Sequence, residues 1–304
     1  MVGTRYNDRV VRRICLAGLV TLSVYSIASA AESIRLTVDA RSFQPGELML
    51  LTLKTTGEAD AVKVRVFERD APAFKIDATT WRALAGIDLD TPTGRHPISI
   101  DARTGTRVTH SDSSVVVTSH TFPTRRLKVD PSFVTPSAEL QARIAREAQE
   151  LVRLWSMSPP SRLWNGPFVR PVPGGSISAF GTRSIFNGQP RSPHGGGDFQ
   201  SPVGTPVASP NAGRVVMARE QYFLGNVVVV DHGLSLFSVL AHLSEIDVHE
   251  GDSITAGQMI GRVGATGRVT GPHLHWAVRA GAARIDPLSL LSLLGSDSVA
   301  ASTR

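Results

Sequence analysis

The sequence predicts a mainly β protein in two parts joined by one α-helix. Three features carry this. Short apolar-alternating stretches separated by turn residues fill 33–129, a single helical period occupies 135–156, and glycine-rich sequence with valine runs fills 165–295. A length of 304 residues allows two compact domains, and 41% hydrophobic with 19% charged residues excludes a disordered chain.

The chain opens with Arg9, Arg12 and Arg13, an apolar run over 14–27, and the small residues Ala28, Ser29 and Ala30. Basic, apolar and small segments in that order predict a signal peptide over 1–30, since fourteen residues are few for a bilayer span. The expected location is therefore exported, periplasmic or envelope-associated. Residues 1–30 also hold half of the net charge of +6, because Arg5, Arg9, Arg12 and Arg13 face only Asp8. The rest is mildly basic, which is not a nucleic-acid signature. Cleavage would remove Cys15, the only cysteine, and leave no thiol chemistry.

Over 31–130 the expected fold is an immunoglobulin-like β-sandwich. Strands are predicted at 33–40, 48–53, 61–67, 95–101 and 113–119, with turns at 55–59, 91–94 and 103–105. Val115, Val116 and Val117 read as one buried run. His96, His110 and His120 lack ligand spacing and read as surface or satisfied side chains. The linker, 131–160, holds one amphipathic helix with Pro136 in its first turn and Leu140, Ile144, Leu151 and Leu154 on one face.

The C-terminal part, 161–295, reads as a glycine-rich antiparallel β-domain of barrel-sandwich type, followed by a flexible tail over 296–304. Four successive valines, 227–230, predict a strand buried on both faces. Further strands are expected at 234–243, 259–263 and 274–279, and a short apolar helix at 287–294 stopped by Gly295. Residues 248–263 look like the hammerhead hairpin of biotinyl and lipoyl domains. The last lysine is Lys128, however, so no carrier or Schiff-base chemistry is available there.

The histidines after residue 190 carry the chemistry. In Pro193-His194-Gly195-Gly196-Gly197-Asp198-Phe199, positions four apart on an extended chain share a side, so His194 and Asp198 converge. In Pro272-His273-Leu274-His275-Trp276-Ala277-Val278, alternation sets both histidines on one face against an apolar reverse face. His242 ends an apolar strand. His232 reads as a turn residue, and His249 takes no role. Two histidines with Asp198 form a thiolate-free set suited to a zinc ion with one open position, whereas calcium would need more oxygen ligands. Neither a Gly-x-Ser-x-Gly elbow nor a phosphate-binding Gly-x-x-x-x-Gly-Lys is present.

Between about 168 and 287 the chain resembles the LytM/lysostaphin-type zinc endopeptidases that cut peptidoglycan peptides. The matching pieces are Phe180-Gly181-Thr182-Arg183, His194-Gly195-Gly196-Gly197-Asp198-Phe199, Gly204-Thr205-Pro206-Val207 and Gly225-Asn226. They continue with Asp231-His232-Gly233, Ala241-His242-Leu243, Gly264-Ala265-Thr266-Gly267 and Thr270-Gly271-Pro272-His273-Leu274-His275. The N-terminal sandwich and helix look like the accessory region of Gram-negative members. The resemblance implies one Zn2+ held by His194, Asp198 and His275, with His242 and His273 as unliganded catalytic histidines. It implies peptidoglycan stem peptides as substrate, in a groove lined by 187–193 and 219–224. Many members carry tyrosine two residues before the histidine matching His242, where this chain has Leu240. Two other functions stay open at this point: a non-catalytic wall-binding regulator like the amidase activators, and a secreted protease acting on glycine-rich proteins.

Overall fold

The computed structural model describes residues 20–24, 33–128, 136–173, 176–177 and 180–295. Of the leader expected over 1–30, only the strand Val20–Val24 is described, antiparallel to Ile34–Ala40. The remainder of the leader, and the tail expected over 296–304, lie outside the described residues.

Two antiparallel sheets form the N-terminal sandwich. One runs Val20–Val24, Ile34–Ala40, Leu48–Thr55, Thr80–Gly86 and Ala73–Lys75; the other runs Arg69–Ala71, Ala61–Val66, Gly94–Thr104 and Arg107–Val117. The observation reaches a two-sheet sandwich and does not extend to an immunoglobulin-like topology. Thr80–Gly86 is a strand that sequence reasoning did not place, because alanine, arginine and glycine are weak strand formers. Val116 corrects the expected buried run. It is 47% exposed while Val115 and Val117 are buried, so the segment alternates as a half-buried strand does.

The first sheet is covered on both faces. Met49, Leu51, Leu53, Trp81, Ala83 and Ala85 point into the sandwich core. Leu48, Leu50 and Leu84 point the other way, into a core shared with Phe199, Trp276, Ile285 and Leu290 of the C-terminal domain. Polar clamps frame this joint. Arg41 bridges Glu47 and Asp286, the Ser289 hydroxyl donates to Glu47 at 2.7 Å, and Arg284 grips Asp88 and Asp90. Burial alone would raise the Asp88 pKa, but its hydrogen bonds with Arg284 hold it at about 2.

In the C-terminal domain one sheet runs Ser176–Ile177, Gly197–Phe199, Leu274–Ala280, Leu236–Ile246, Gly225–Asp231, Gly213–Gln221 and Ser253–Ile254. Met259–Val263 pairs with Leu236–Ile246 and with Pro206–Ala208. The four valines are all fully buried, as expected. Val228 and Val230 enter the main core, whereas Val227 and Val229 lie under the linker helix with Phe237 and Val239.

That helix, Ala138–Trp155, packs Leu151, Leu154 and Trp155 on this sheet. Ser137 caps it by accepting from the Leu140 N–H, which leaves Pro136 outside the first turn where it was expected. Arg143–Glu220 and Arg219–Glu150 tie helix to sheet. The short C-terminal helix is Pro287–Leu294, capped by Asp286.

Candidate active site

Strand pairing assembles the site. Gly197–Phe199 lies antiparallel to Leu274–Ala280 with Asp198 directly opposite His275. On the other side of the same strand, Ala241 is opposite His275, which brings His242 alongside. His194, four residues before Asp198, folds back onto the pair. His194 Nε2 lies 3.2 Å from Asp198 Oδ1 and 3.1 Å from His275 Nδ1, and His275 Nδ1 lies 3.0 Å from Asp198 Oδ1.

Two imidazoles and a carboxylate therefore point one ligand atom each at a common centre. Three ligands about 2.0–2.1 Å from a tetrahedral zinc sit roughly 3.3 Å from one another, so this triangle has the size such an ion requires. The set contains no thiolate and too few oxygens for calcium, which fits the same ion. Gly196 makes the arrangement possible. A Cβ there would stand 2.8 Å from the His275 ring and 2.7 Å from the Trp276 carbonyl oxygen.

His242 and His273 complete the cluster, with ring centroids 5.0 Å apart. The Nδ1 of His242 faces the Thr266 carbonyl at 2.9 Å, and that of His273 faces the Gly271 carbonyl at 2.8 Å. A carbonyl only accepts, so each Nδ1 carries the hydrogen and each Nε2 keeps its lone pair. His273 Nε2 lies 3.6 Å from Asp198 Oδ1.

His242 takes a backbone φ of +66°, a left-handed conformation of a non-glycine residue inside a strand. Strand pairing shifts register at this point on both sides, between Asn226 and Val228 and between Leu243 and Glu245. Such a bulge re-aims one side chain.

The electrostatics follow from burial. Desolvation acts to raise the Asp198 pKa, but hydrogen bonds from His194 and His275 hold it far below the usual carboxylate range. Burial, and then the charge of His275 and His273, push His242 down to about 3. Burial also lowers His275, against its bond to Asp198.

The five histidine and aspartate positions expected at the site are thus brought together. His232 is a buried structural residue between the Ala212 carbonyl and the Ser238 hydroxyl, and His249 is exposed. Leu240 is fully buried in the core and offers the site nothing.

The site opens into a cleft of about 560 Å³. Residues 191–193 and Phe223 with Leu224 line it, as expected of the two loops. Sequence reasoning missed two further lining segments, Arg268, Val269 and Thr270, and Arg125 with Leu127. The latter belong to Thr124–Leu127, a strand after the sandwich that pairs in parallel with Arg183–Phe186. Nothing local in the sequence signals that contact across some sixty residues. Thr266, which orients His242, was part of a quoted motif but had no role there.

Comparison with known proteins follows the same lines. The model of Peptidase family M23 matches residues 192–287. The peptidoglycan DD-endopeptidase ShyA of Vibrio cholerae is 49% identical over 85 residues, 28% of this chain and 20% of its own length. The DD-carboxypeptidase/endopeptidase Mpg of Neisseria meningitidis is 37% identical over 97 residues, 32% of this chain and 22% of its own. The match thus spans about a fifth of these relatives' length. A Pseudomonas aeruginosa structure described as a peptidase M23 is 30% identical with a TM-score of 0.64, covering 82% of this chain and 95% of its own.

Proposed function

The chain belongs to peptidase family M23, and from that premise we propose that it is an exported zinc endopeptidase that hydrolyses the peptide cross-links of bacterial peptidoglycan. The observation that carries the proposal is the convergence of His194 Nε2, Asp198 Oδ1 and His275 Nδ1, flanked by two histidines whose Nδ1 atoms face backbone carbonyls and whose Nε2 atoms keep their lone pairs. The cross-link as substrate is supported by the names of the curated relatives, peptidoglycan DD-endopeptidases among them. Export is supported by the basic-apolar-small order of residues 9–30.

His194, Asp198 and His275 would hold the ion, which supplies Lewis acidity to a scissile carbonyl and a nearby water. The remaining work falls to side chains of this chain. A water proton passes to the Nε2 of His242 or His273 as oxygen attacks the carbonyl carbon. When the C–N bond breaks, the proton passes to the leaving nitrogen. While the histidine holds that proton, the same Nε2–H can donate to the oxyanion. The carbonyls of Thr266 and Gly271 fix the tautomer that leaves either Nε2 free to accept the water proton. The walls of the cleft suit an extended peptide. A complete ligand set with both flanking histidines counts against a purely regulatory role.

The test is digestion of isolated sacculi by residues 31–304, with released muropeptides read by mass spectrometry. Cross-linked dimers should fall to monomers with zinc, and not with chelator or in His194→Ala. Intact dimers under all conditions would contradict the proposal.

A further inference from the structure

Three arginines from three separate segments line the cleft beside the histidine cluster: Arg125 from the strand after the sandwich, Arg191 from the loop before His194, and Arg268 from the loop before His273. Arg268 and Arg191 stand on the same aromatic ring, each guanidinium carbon 5.9 Å from the Phe186 centroid, and Arg268 also stacks on Phe223 at 4.1 Å. Arg125 is anchored by Nε donating to Ser184 Oγ at 2.9 Å. Desolvation in the cleft, then the charges of Arg191 and Arg125, lower the Arg268 pKa. Asp198 is the single carboxylate among the cleft-lining residues, and it is engaged by histidines.

Like charges brought close together repel, and an anion that enters between them relieves that repulsion. Arginine presents a planar fork of N–H donors that matches a carboxylate in a bidentate way. We propose that Arg268 and Arg125 form a carboxylate-binding subsite that holds a free carboxylate of the substrate peptide beside the scissile bond. The subsite selects stem peptides that carry an unmodified carboxylate over their amidated counterparts. The proposal rests on the endopeptidase reading for the identity of the peptide, and the cleft geometry stands apart from it. Arg268 and Arg125 are assigned as specificity residues and take no part in the bond-breaking step.

The test uses the zinc-loaded full chain and muropeptides in two forms, native and with carboxylates converted to carboxamides. Binding is measured by calorimetry and cleavage by chromatography. Wild type should bind the native form at least tenfold more tightly, and Arg268→Gln should abolish that difference with little change in affinity for the amidated form. Arg125→Gln supplies the same comparison from another segment should Arg268→Gln fail to fold. In turnover the loss should lie in KM, with kcat largely kept. Equal binding of both forms by wild type, or a difference that survives in both variants, would overturn the subsite. Discrimination in binding without any cleavage would sustain the subsite and sink the endopeptidase reading instead.

Discussion

A methyl group on Gly196 would press on the His275 ring and the Trp276 carbonyl oxygen, whereas one on Gly195 would meet only the Arg284 side chain at 3.7 Å. Gly196→Ala should therefore lower zinc affinity about tenfold or more while Gly195→Ala leaves it near wild type, as read by chelator competition. Equal effects would show that the glycines serve only chain flexibility. His232 makes a second residue-level prediction. Burial pushes its pKa down to about 4, against about 6.5 in the unfolded chain, so the unfolded state takes up the proton first. Stability from this neutral ring is full above pH 6.5 and is lost as pH falls toward 4, by about 3 kcal/mol in all. Thermal unfolding between pH 7 and 4 should show the loss in wild type and a shallower slope in His232→Gln; parallel slopes would refute it. The convergence of His194 with Asp198 and the shared face of His273 and His275 were legible, because i, i+4 in an extended glycine run and i, i+2 in extended chain put side chains on one side. The choice of His275 over His273 as ligand came only from the resemblance. The left-handed φ of His242 was not legible, since bulges are set by the partner strands and not by local composition.

Strands buried on both faces decide how the elements stack. The apolar run 48–51 reads as an ordinary sandwich strand, yet Met49 and Leu51 serve one core while Leu48 and Leu50 serve the other. Leu48→Ala should thus cost about 2–5 kcal/mol, the range for a fully buried leucine, although it lies far from the site in sequence. Denaturant unfolding should register it, and a loss under 1 kcal/mol would mean that the two domains are only loosely apposed. The valine strand and the C-terminal helix were legible from run length and Gly295, whereas the Asp286 cap is seen only in the structure. Thr80–Gly86 was not legible, because burial between two layers overrides the weak strand propensity of its residues. The exposed Val116 shows the converse error, in which composition alone suggested a core that the strand's position at a sheet edge does not provide.

At the scale of the molecule, the sandwich is a structural part of the peptidase. It shares a core with the C-terminal domain, clamps it through Arg284–Asp88 and Arg41–Asp286, and sends Thr124–Leu127 to form one wall of the cleft. Residues 161–304 alone should therefore melt at lower temperature than 31–304 and bind peptide more weakly, and equal melting temperatures would contradict a shared core. That dependence was invisible in the sequence, where the two parts differ in composition and divide cleanly at the helix. The central claim, three ligands and two unliganded catalytic histidines, is tested most directly by two variants two residues apart in the chain. Zinc stoichiometry and sacculus turnover are measured on the same preparations of His275→Ala and His273→Ala. His275→Ala should lose both zinc and turnover, and His273→Ala should keep stoichiometric zinc while losing turnover. Zinc retained in the first or lost from the second would contradict the division of roles.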